Sequence, residues 1–186
     1  MKSNIVIFGC SAGGSRALDE IIPHLDLHNT VILIVSHSPE YITGSLASHL
    51  NKLSHCGCKV AEERLKVEPN NLYLAPGGKH LKLLPGGYFS LLDTDPINFV
   101  KPNIDLIMTS LDKSDFNSIV SIILSGMGRD GTQGTSYLKS IGATTIAQDK
   151  ESSSVFGMPG SVIKSGKIDF IMSPTQINSF LNKKFS

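Results

Sequence analysis

Short, continuously apolar runs recur along this chain and constrain its fold more than any other feature. They lie at Ile5–Phe8, Val31–Val35, Leu72–Leu74, Ile119–Leu124, Ala143–Ala147 and Ile168–Met172. A run that does not alternate with polar residues is typical of a strand buried on both faces of a sheet. Helical patterns lie between several of these runs and after the last one, at Arg16–Leu25, Gly44–Leu53, Ile104–Leu111, Thr135–Ile141, Met158–Ser165 and Pro174–Phe180. This alternation predicts an α/β fold, a mostly parallel, doubly wound sheet with flanking helices.

One segment departs from the alternation. The runs His80–Leu84 and Tyr88–Leu92 are separated by Pro85-Gly86-Gly87, which predicts an antiparallel β-hairpin with a glycine turn. We expect this hairpin to be a flap or edge feature. Because no repeat, low-complexity tract or linker divides the sequence, residues 1–186 are predicted to form a single domain.

Composition excludes several classes of function. The chain has 186 residues, of which 18% are charged, and a formal net charge of +1, so nothing indicates a nucleic-acid partner. The apolar run before Cys10 resembles a lipoprotein signal, but it has four residues where a signal core needs about 7–15. No apolar run reaches the roughly 18 residues of a membrane span. We therefore expect a protein that does not insert into a membrane.

The three cysteines are too few and too unevenly placed for a disulfide framework. The segment His55-Cys56-Gly57-Cys58 offers metal-binding side chains, but it lacks a second Cys or His pair at the usual spacing. We interpret Cys10, Cys56 and Cys58 as free thiols of a cytoplasmic protein, and we expect no metal.

A glycine-rich turn, Gly9-Cys10-Ser11-Ala12-Gly13-Gly14, follows the first apolar run and opens a helical pattern. Two interpretations fit this turn. It is a nucleophile elbow that presents Ser11 at the carboxyl edge of the sheet, or a cradle for a dinucleotide phosphate. The turn alone does not decide between them.

The side chains at the ends of two further predicted strands distinguish between these two interpretations. Val31–Val35 leads to His37, and Ile119–Leu124 leads to a glycine-rich segment with Asp130. Each of Ser11, His37 and Asp130 alone is also typical of a turn, a surface or a helix cap. In an open α/β sheet, however, these carboxyl ends face one crevice, where the three form a set that activates a serine hydroxyl.

The nucleotide-binding interpretation requires an acidic residue that this sequence does not have at the expected position. A dinucleotide fold needs Asp or Glu about 20 residues beyond the glycine turn, where this chain has Ser36 and His37. The order Ser, His, Asp also differs from that of α/β-hydrolases, which run Ser, acid, His. The sequence therefore favours a serine hydrolase of another architecture.

The sequence resembles the catalytic domain of the chemotaxis protein-glutamate methylesterases of the CheB type. The resemblance spans nearly the whole chain and is carried by six blocks, namely Gly9-Cys10-Ser11-Ala12-Gly13-Gly14, Ser36-His37-Ser38-Pro39, Ala75-Pro76-Gly77-Gly78-Lys79-His80, Pro102-Asn103-Ile104-Asp105, Leu124-Ser125-Gly126-Met127-Gly128-Arg129-Asp130-Gly131, and Ala147-Gln148-Asp149 with Val155-Phe156-Gly157-Met158-Pro159.

The resemblance implies a catalytic triad of Ser11, His37 and Asp130, with an oxyanion site at the backbone N–H groups of Ala12 and Met127. It also implies an antiparallel hairpin near the active site. The expected substrates are γ-glutamyl methyl esters on cytoplasmic helices of methyl-accepting chemoreceptors, with methanol as product and receptor glutamines as targets of deamidation. No cofactor or metal is expected.

Some positions depart from the family pattern. Ala12 and Ser38 stand where Thr and Met are usual, and Lys101-Pro102-Asn103-Ile104-Asp105 replaces Arg-Pro-Ser-Val-Asp. The typical enzyme also has an N-terminal receiver domain that gates the site when phosphorylated. Because the first apolar run begins at residue 5, we expect that control to be absent, basal activity to be constitutive, and the hairpin of residues 80–92 to guide substrate.

The sequence thus predicts a serine carboxylesterase of chemotaxis adaptation that acts on a chemoreceptor. A receptor methyltransferase or a separate regulatory chain is a further expected partner. The alternative from another class is a non-catalytic module of the same fold that docks on receptors or on the methyltransferase. A nucleotide-binding α/β protein is the third alternative.

Overall fold

The computed structural model of the chain describes residues 2–186. Nine strands and six α-helices occur in them, in the order β1 (Asn4–Cys10), α1 (Gly14–Ile21), β2 (Thr30–Ser36), α2 (Thr43–Leu53), β3 (Cys58–Val60), β4 (Asn71–Leu74), β5 (His80–Leu84), β6 (Tyr88–Leu92), α3 (Ile104–Ser110), β7 (Ile119–Ile123), α4 (Thr132–Ser140), β8 (Thr144–Gln148), α5 (Gly157–Lys164), β9 (Phe170–Met172) and α6 (Pro174–Phe185).

Seven strands form one parallel sheet in the order β3-β4-β2-β1-β7-β8-β9. The first strand, β1, lies at its centre between β2 and β7, so the direction of winding reverses there. Ligand crevices of open α/β sheets form beyond the carboxyl ends of strands at such a reversal. The topology therefore places the ends of β1, β2 and β7 around one crevice, and the predicted fold class is confirmed.

Alternate residues of the central strands fill two separate cores. On one face, Ile5 and Ile7 of β1 pack with residues of α3, α4 and α5. On the other face, Val6 and Phe8 pack with residues of α1, α2 and α6. All four β1 side chains are completely buried. Burial on both faces explains why these strands read as continuous apolar runs.

The predicted hairpin forms as a separate two-stranded antiparallel sheet of β5 and β6. Its inner face carries Leu81, Leu83 and Phe89, which are buried in the core that also contains α3. The backbone N–H of Leu83 donates to the Ser110 hydroxyl at the end of α3, at 2.9 Å. The hairpin is thus packed support for α3, so the expectation that it is a flap does not hold.

Element boundaries differ from the sequence prediction at a few places. The first helix ends at Ile21 and continues as a short 3₁₀ turn, Ile22–His24, which contains Pro23. The edge strand β3 (Cys58–Val60) was not predicted, and β9 begins at Phe170 instead of Ile168. Every helix within residues 2–186 is too short or too polar to span a lipid bilayer.

Candidate active site

Ser11 and His37 lie at the carboxyl edge of the sheet, directly after β1 and β2, and Asp130 lies in the glycine-rich segment that follows β7. The backbone N–H of His37 donates to the Cys10 carbonyl at 3.2 Å, and that of Ser11 donates to the Ser125 carbonyl at 3.0 Å. These bonds extend the pairing of the strands by one residue beyond their ends. The sheet itself therefore positions Ser11 and His37 side by side at its carboxyl edge.

The imidazole of His37 is paired with the carboxylate of Asp130. The distance from His37 Nε2 to Asp130 Oδ2 is 2.7 Å, and the side chains are only 9% and 8% exposed. Because Nε2 faces the carboxylate, Nδ1 is the ring nitrogen left for another partner. The pair has the geometry of a base oriented by an acid.

The carboxylate of Asp130 is also held from the start of α3. It accepts hydrogen bonds from the backbone N–H groups of Ile104 (2.7 Å) and Asp105 (2.9 Å) and from the side-chain amide of Asn103 (3.0 Å). Burial alone would raise the pKa of Asp130, but the bonds from His37 and from these N–H groups hold it below its usual value. Asp130 is therefore an ionised carboxylate at neutral pH.

Asn103 was not predicted as a site residue, although it lies in one of the six blocks. Its side-chain oxygen caps α3 by accepting from the N–H of Leu106 at 2.9 Å, while its amide nitrogen donates to Asp130. A cap residue before an apolar helical pattern is a recognisable signal. Its bond to Asp130, which is 27 residues away in sequence, has no local signal.

The hydroxyl of Ser11 makes no hydrogen bond within the described part of the chain, residues 2–186. Ser11 and His37 nevertheless line the same cavity, together with Ala12 and Ser38. Catalytic hydrogen bonds are often long before substrate binds. The nucleophile candidate thus shares a cavity with the base candidate, and its hydroxyl has no other partner in the described residues.

The neighbouring thiol is a poor rival for the role of nucleophile. Cys10 is 1% exposed, and burial raises the pKa of its thiol to about 11. A thiol with that pKa stays protonated at neutral pH and is unreactive. The group of this turn that can attack a substrate is therefore the half-buried Ser11 hydroxyl.

The glycine-rich turn that contains Gly126 packs against the turn that carries Ser11. A side chain at Gly126 would clash with Met158 and would come within 3.0 Å of Ser11 Cβ, so only glycine permits this approach. Within residues 2–186, the backbone N–H groups of Ala12 and Met127 donate to no backbone or side-chain acceptor. Two free N–H groups on adjoining turns beside a serine can hold an oxyanion.

Comparison with known proteins decides the family. The family model described as CheB methylesterase matches residues 6–181. The crystal structure of the Thermotoga maritima CheB methylesterase catalytic domain superposes with a TM-score of 0.92 at 39% identity, and the match covers 99% of this chain and 100% of that one.

The chain belongs to the CheB methylesterase family.

Curated CheB relatives are longer than this chain. The protein-glutamate methylesterase/protein-glutamine glutaminase of Thermotoga maritima is 40% identical over 181 residues, which are 95% of this chain and 53% of the relative. The Salmonella typhimurium protein of the same name is 34% identical over 188 residues, with 100% of this chain and 54% of the relative covered. The chain thus spans about half the length of these relatives.

A buried polar network connects the two glycine turns of this CheB fold. The hydroxyl of Ser125 donates to the Ala12 carbonyl at 3.0 Å, and its backbone N–H donates to Gln148 Oε1 at 2.8 Å. Ser125 and Gln148 are 0% and 1% exposed. Both lie in the blocks that carry the family resemblance, but sequence reasoning gave them no role. The network fixes the backbone on both sides of Ser11.

Two of the positions that depart from the family pattern, Ala12 and Ser38, line the cavity beside Ser11. Ala12 is exposed beside Ser11. The Ser38 hydroxyl lies 2.9 Å from that of Ser36, so the two share a hydrogen bond. Neither departure alters the pairing of His37 with Asp130.

The cysteine-rich segment after α2 lies away from this cavity. His55 Nε2 lies 3.1 Å from the Pro23 carbonyl oxygen, and Cys56 Sγ lies 3.1 Å from the Ser54 hydroxyl. Residues 2–186 bring together no three His, Cys, Asp or Glu side chains in a metal-binding arrangement.

Proposed function

We propose that this chain is a serine carboxylesterase that hydrolyses γ-glutamyl methyl esters on methyl-accepting chemoreceptors. Deamidation of receptor glutamines belongs to the same proposal, because the same acyl chemistry serves both and the relatives are named for both activities. The observation that carries the proposal is the His37–Asp130 pair, with 2.7 Å between Nε2 and Oδ2, beside Ser11 in one cavity.

In the proposed first half-reaction, Ser11 Oγ attacks the ester carbonyl carbon while its proton passes to His37 Nδ1. The carbonyl oxygen becomes an oxyanion, which accepts hydrogen bonds from the N–H groups of Ala12 and Met127. Asp130 stabilises the imidazolium that forms. The tetrahedral intermediate then expels methanol, whose oxygen takes the proton from His37, and the glutamyl group remains esterified to Ser11.

In the proposed second half-reaction, water replaces methanol. His37 takes a proton from the attacking water, and the second tetrahedral intermediate forms in the same oxyanion site. Its collapse returns the proton to Ser11 Oγ and releases the free glutamate side chain. With glutamine as substrate, ammonia leaves in place of methanol. Ester and amide hydrolysis by this route need no metal and no cofactor.

The biological setting follows from the same proposal. Residues 1–186 would act as one catalytic domain in the cytoplasm, where the methylated helices of chemoreceptors are expected. The receptor is the protein substrate. A receptor methyltransferase or a separate regulatory chain is the second proposed partner, since methylation and demethylation must be balanced on one receptor.

The test is methanol release from a receptor preparation that carries methylated glutamates. The parent chain should release methanol with multiple turnovers, and substitution of His37→Gln should abolish most of this release. A parent chain that binds the receptor but releases neither methanol nor ammonia would refute the proposal and favour the non-catalytic docking module.

A further inference from the structure

The segment between β6 and α3 carries a tight turn with an exposed aromatic side chain. Ile97 N–H donates to the Val100 carbonyl at 3.2 Å, and Val100 N–H donates to the Ile97 carbonyl at 3.1 Å. The two residues at the tip have left-handed backbone, with φ of 50° at Asn98 and 67° at Phe99. This is the pattern of a type I′ turn, in which a phenylalanine is strained. The Phe99 side chain is 101% exposed.

One buried histidine holds the base of this turn at both ends. The ring of His80 is 0% exposed. Its Nε2 donates to the Asp95 carbonyl at 3.1 Å, and its Nδ1 accepts from the backbone N–H of Asn103 at 3.2 Å. Asn103 in turn donates to the Asp130 carboxylate at 3.0 Å. The turn of residues 97–100 is thus an arm whose base is connected, through His80 and Asn103, to the proposed catalytic acid.

The arm forms one wall of the cleft at the proposed catalytic groups. Residues 98–100 line a cleft of about 500 Å³ together with His37, Met127 and Asp130. The Met127 side chain is 69% exposed, so two apolar side chains stand free at the same opening. The cleft has the size of a site for a ligand much larger than a methyl ester.

Phe99 combines a strained backbone with a fully exposed side chain. Left-handed backbone at a non-glycine residue costs free energy, and such residues cluster at ligand-binding sites. A wholly exposed phenylalanine gains stability only when a ligand or partner covers it. Hydrolysis of a small ester needs only catalytic groups such as Ser11 and His37. The arm therefore contributes binding contacts only when the substrate extends beyond the ester group.

We propose that Phe99 is a specificity-determining residue, which contacts an apolar side chain on the polypeptide segment that carries the scissile ester. The inference rests on the esterase function proposed above and adds how the protein substrate is distinguished from a small ester. The occupant of the cleft is the substrate polypeptide, because the arm is continuous with the groups that would cleave its ester.

The test compares two substrates. The kcat/KM values for methylated receptor and for p-nitrophenyl acetate are measured with the parent, Phe99→Ala, Phe99→Gly and the control Ile171→Ala. Ile171 is an exposed apolar residue on the edge strand β9, away from the cleft. The ratio of the receptor value to the small-ester value should fall about 10-fold or more in both Phe99 variants, because the variants lose the ring that the bound substrate would bury. The ratio should be unchanged in the control.

Phe99→Gly separates the contact from the strain. Glycine adopts positive φ without cost, so this variant should unfold at the same or a higher temperature than the parent while losing selectivity. An unchanged ratio in Phe99→Ala and Phe99→Gly, with a parent active on both esters, would overturn the inference alone. A parent that hydrolyses neither ester would refute the proposed function, and the inference with it.

Discussion

Asp130 is bonded to His37 and Ser11 shares a cavity with it, and the chain holds these two groups in different ways. The Asp130 carboxylate takes part in five hydrogen bonds, with His37, Asn103, Ile104, Asp105 and Gly131. The Ser11 hydroxyl takes part in none within residues 2–186, whereas its backbone is fixed by Ser125 on the facing turn. On the acid side the side chain is immobilised, and on the nucleophile side the backbone is.

The difference follows from what each group must do. A buried carboxylate costs several kcal/mol to desolvate, and it must stay ionised throughout the proposed reaction, so it needs permanent donors. A serine hydroxyl must change partners as its proton leaves and returns. The comparison implies that changes on the acid side reduce both stability and activity, whereas changes on the nucleophile side reduce activity alone.

The largest expected effect comes from removing the nucleophile. Ser11→Ala should reduce methanol release by about 10³-fold or more, because the covalent intermediate cannot form. The melting temperature should not change, since the hydroxyl has no partner in the described residues to lose. Ser179→Ala on α6 is a matched control that should leave turnover intact. Comparable turnover in Ser11→Ala and the parent would remove Ser11 from the mechanism.

Asp130→Ala should reduce stability as well as turnover. Turnover should fall by about 10²–10³-fold, because His37 loses the group that orients it. The free energy of unfolding should also fall by about 2–3 kcal/mol, because buried N–H groups of Ile104 and Asp105 lose their acceptor. Urea denaturation measures the second effect. Unchanged stability in this variant would contradict the contrast between the two sides.

Asn103→Ala tests the connection between the acid and α3. It removes a helix cap and one donor to Asp130, so stability should fall by about 1–2 kcal/mol and turnover by about 10-fold. Ser173 caps α6 through the N–H of Gln176 and is remote from the cleft, so Ser173→Ala is the control. That variant should lose similar stability without losing turnover. Equal turnover in the two variants would show that Asn103 acts only as a cap.

The smallest expected effect concerns pH and a second carboxylate beside Asp130. Burial, followed by the negative charge of Asp130, raises the pKa of Asp105 from 3.8 to about 6, although the Gly134 N–H opposes this. The folded state therefore binds a proton more tightly than the unfolded state. The stabilisation from Asp105 is complete below pH 3.8 and is lost as the pH rises through about 6. Asp130, whose pKa is lowered, contributes with the opposite sign.

Asp105→Asn should remove this loss. The advantage of the variant in free energy of unfolding over the parent should grow between pH 4 and about 6 and then stay constant. Chemical denaturation at several pH values measures it. An advantage that shrinks as the pH rises would contradict the assigned direction of the pKa shift.

The sequence predicted the parallel sheet and the meeting of its strand ends, because continuous apolar runs and glycine turns are local signals. It missed β3, since this strand has three residues and carries exposed Lys59 at its centre. It also missed the arm at residues 97–100. Asn98 is compatible with left-handed backbone, but Phe99 after it is not a residue that favours it, so the sequence carried only a weak signal for this turn. The bonds that fix Asp130 come from residues distant in sequence, which local patterns do not encode.

The most direct test of the account is the position and rate of covalent labelling by a serine-directed fluorophosphonate. The central claim is that His37 and Asp130 activate the Ser11 hydroxyl, so peptide mapping by mass spectrometry should find one adduct per chain, on Ser11. Labelling in His37→Gln should be slower by about 10²-fold or more. Labelling of another serine, or equal rates in the parent and His37→Gln, would contradict the claim.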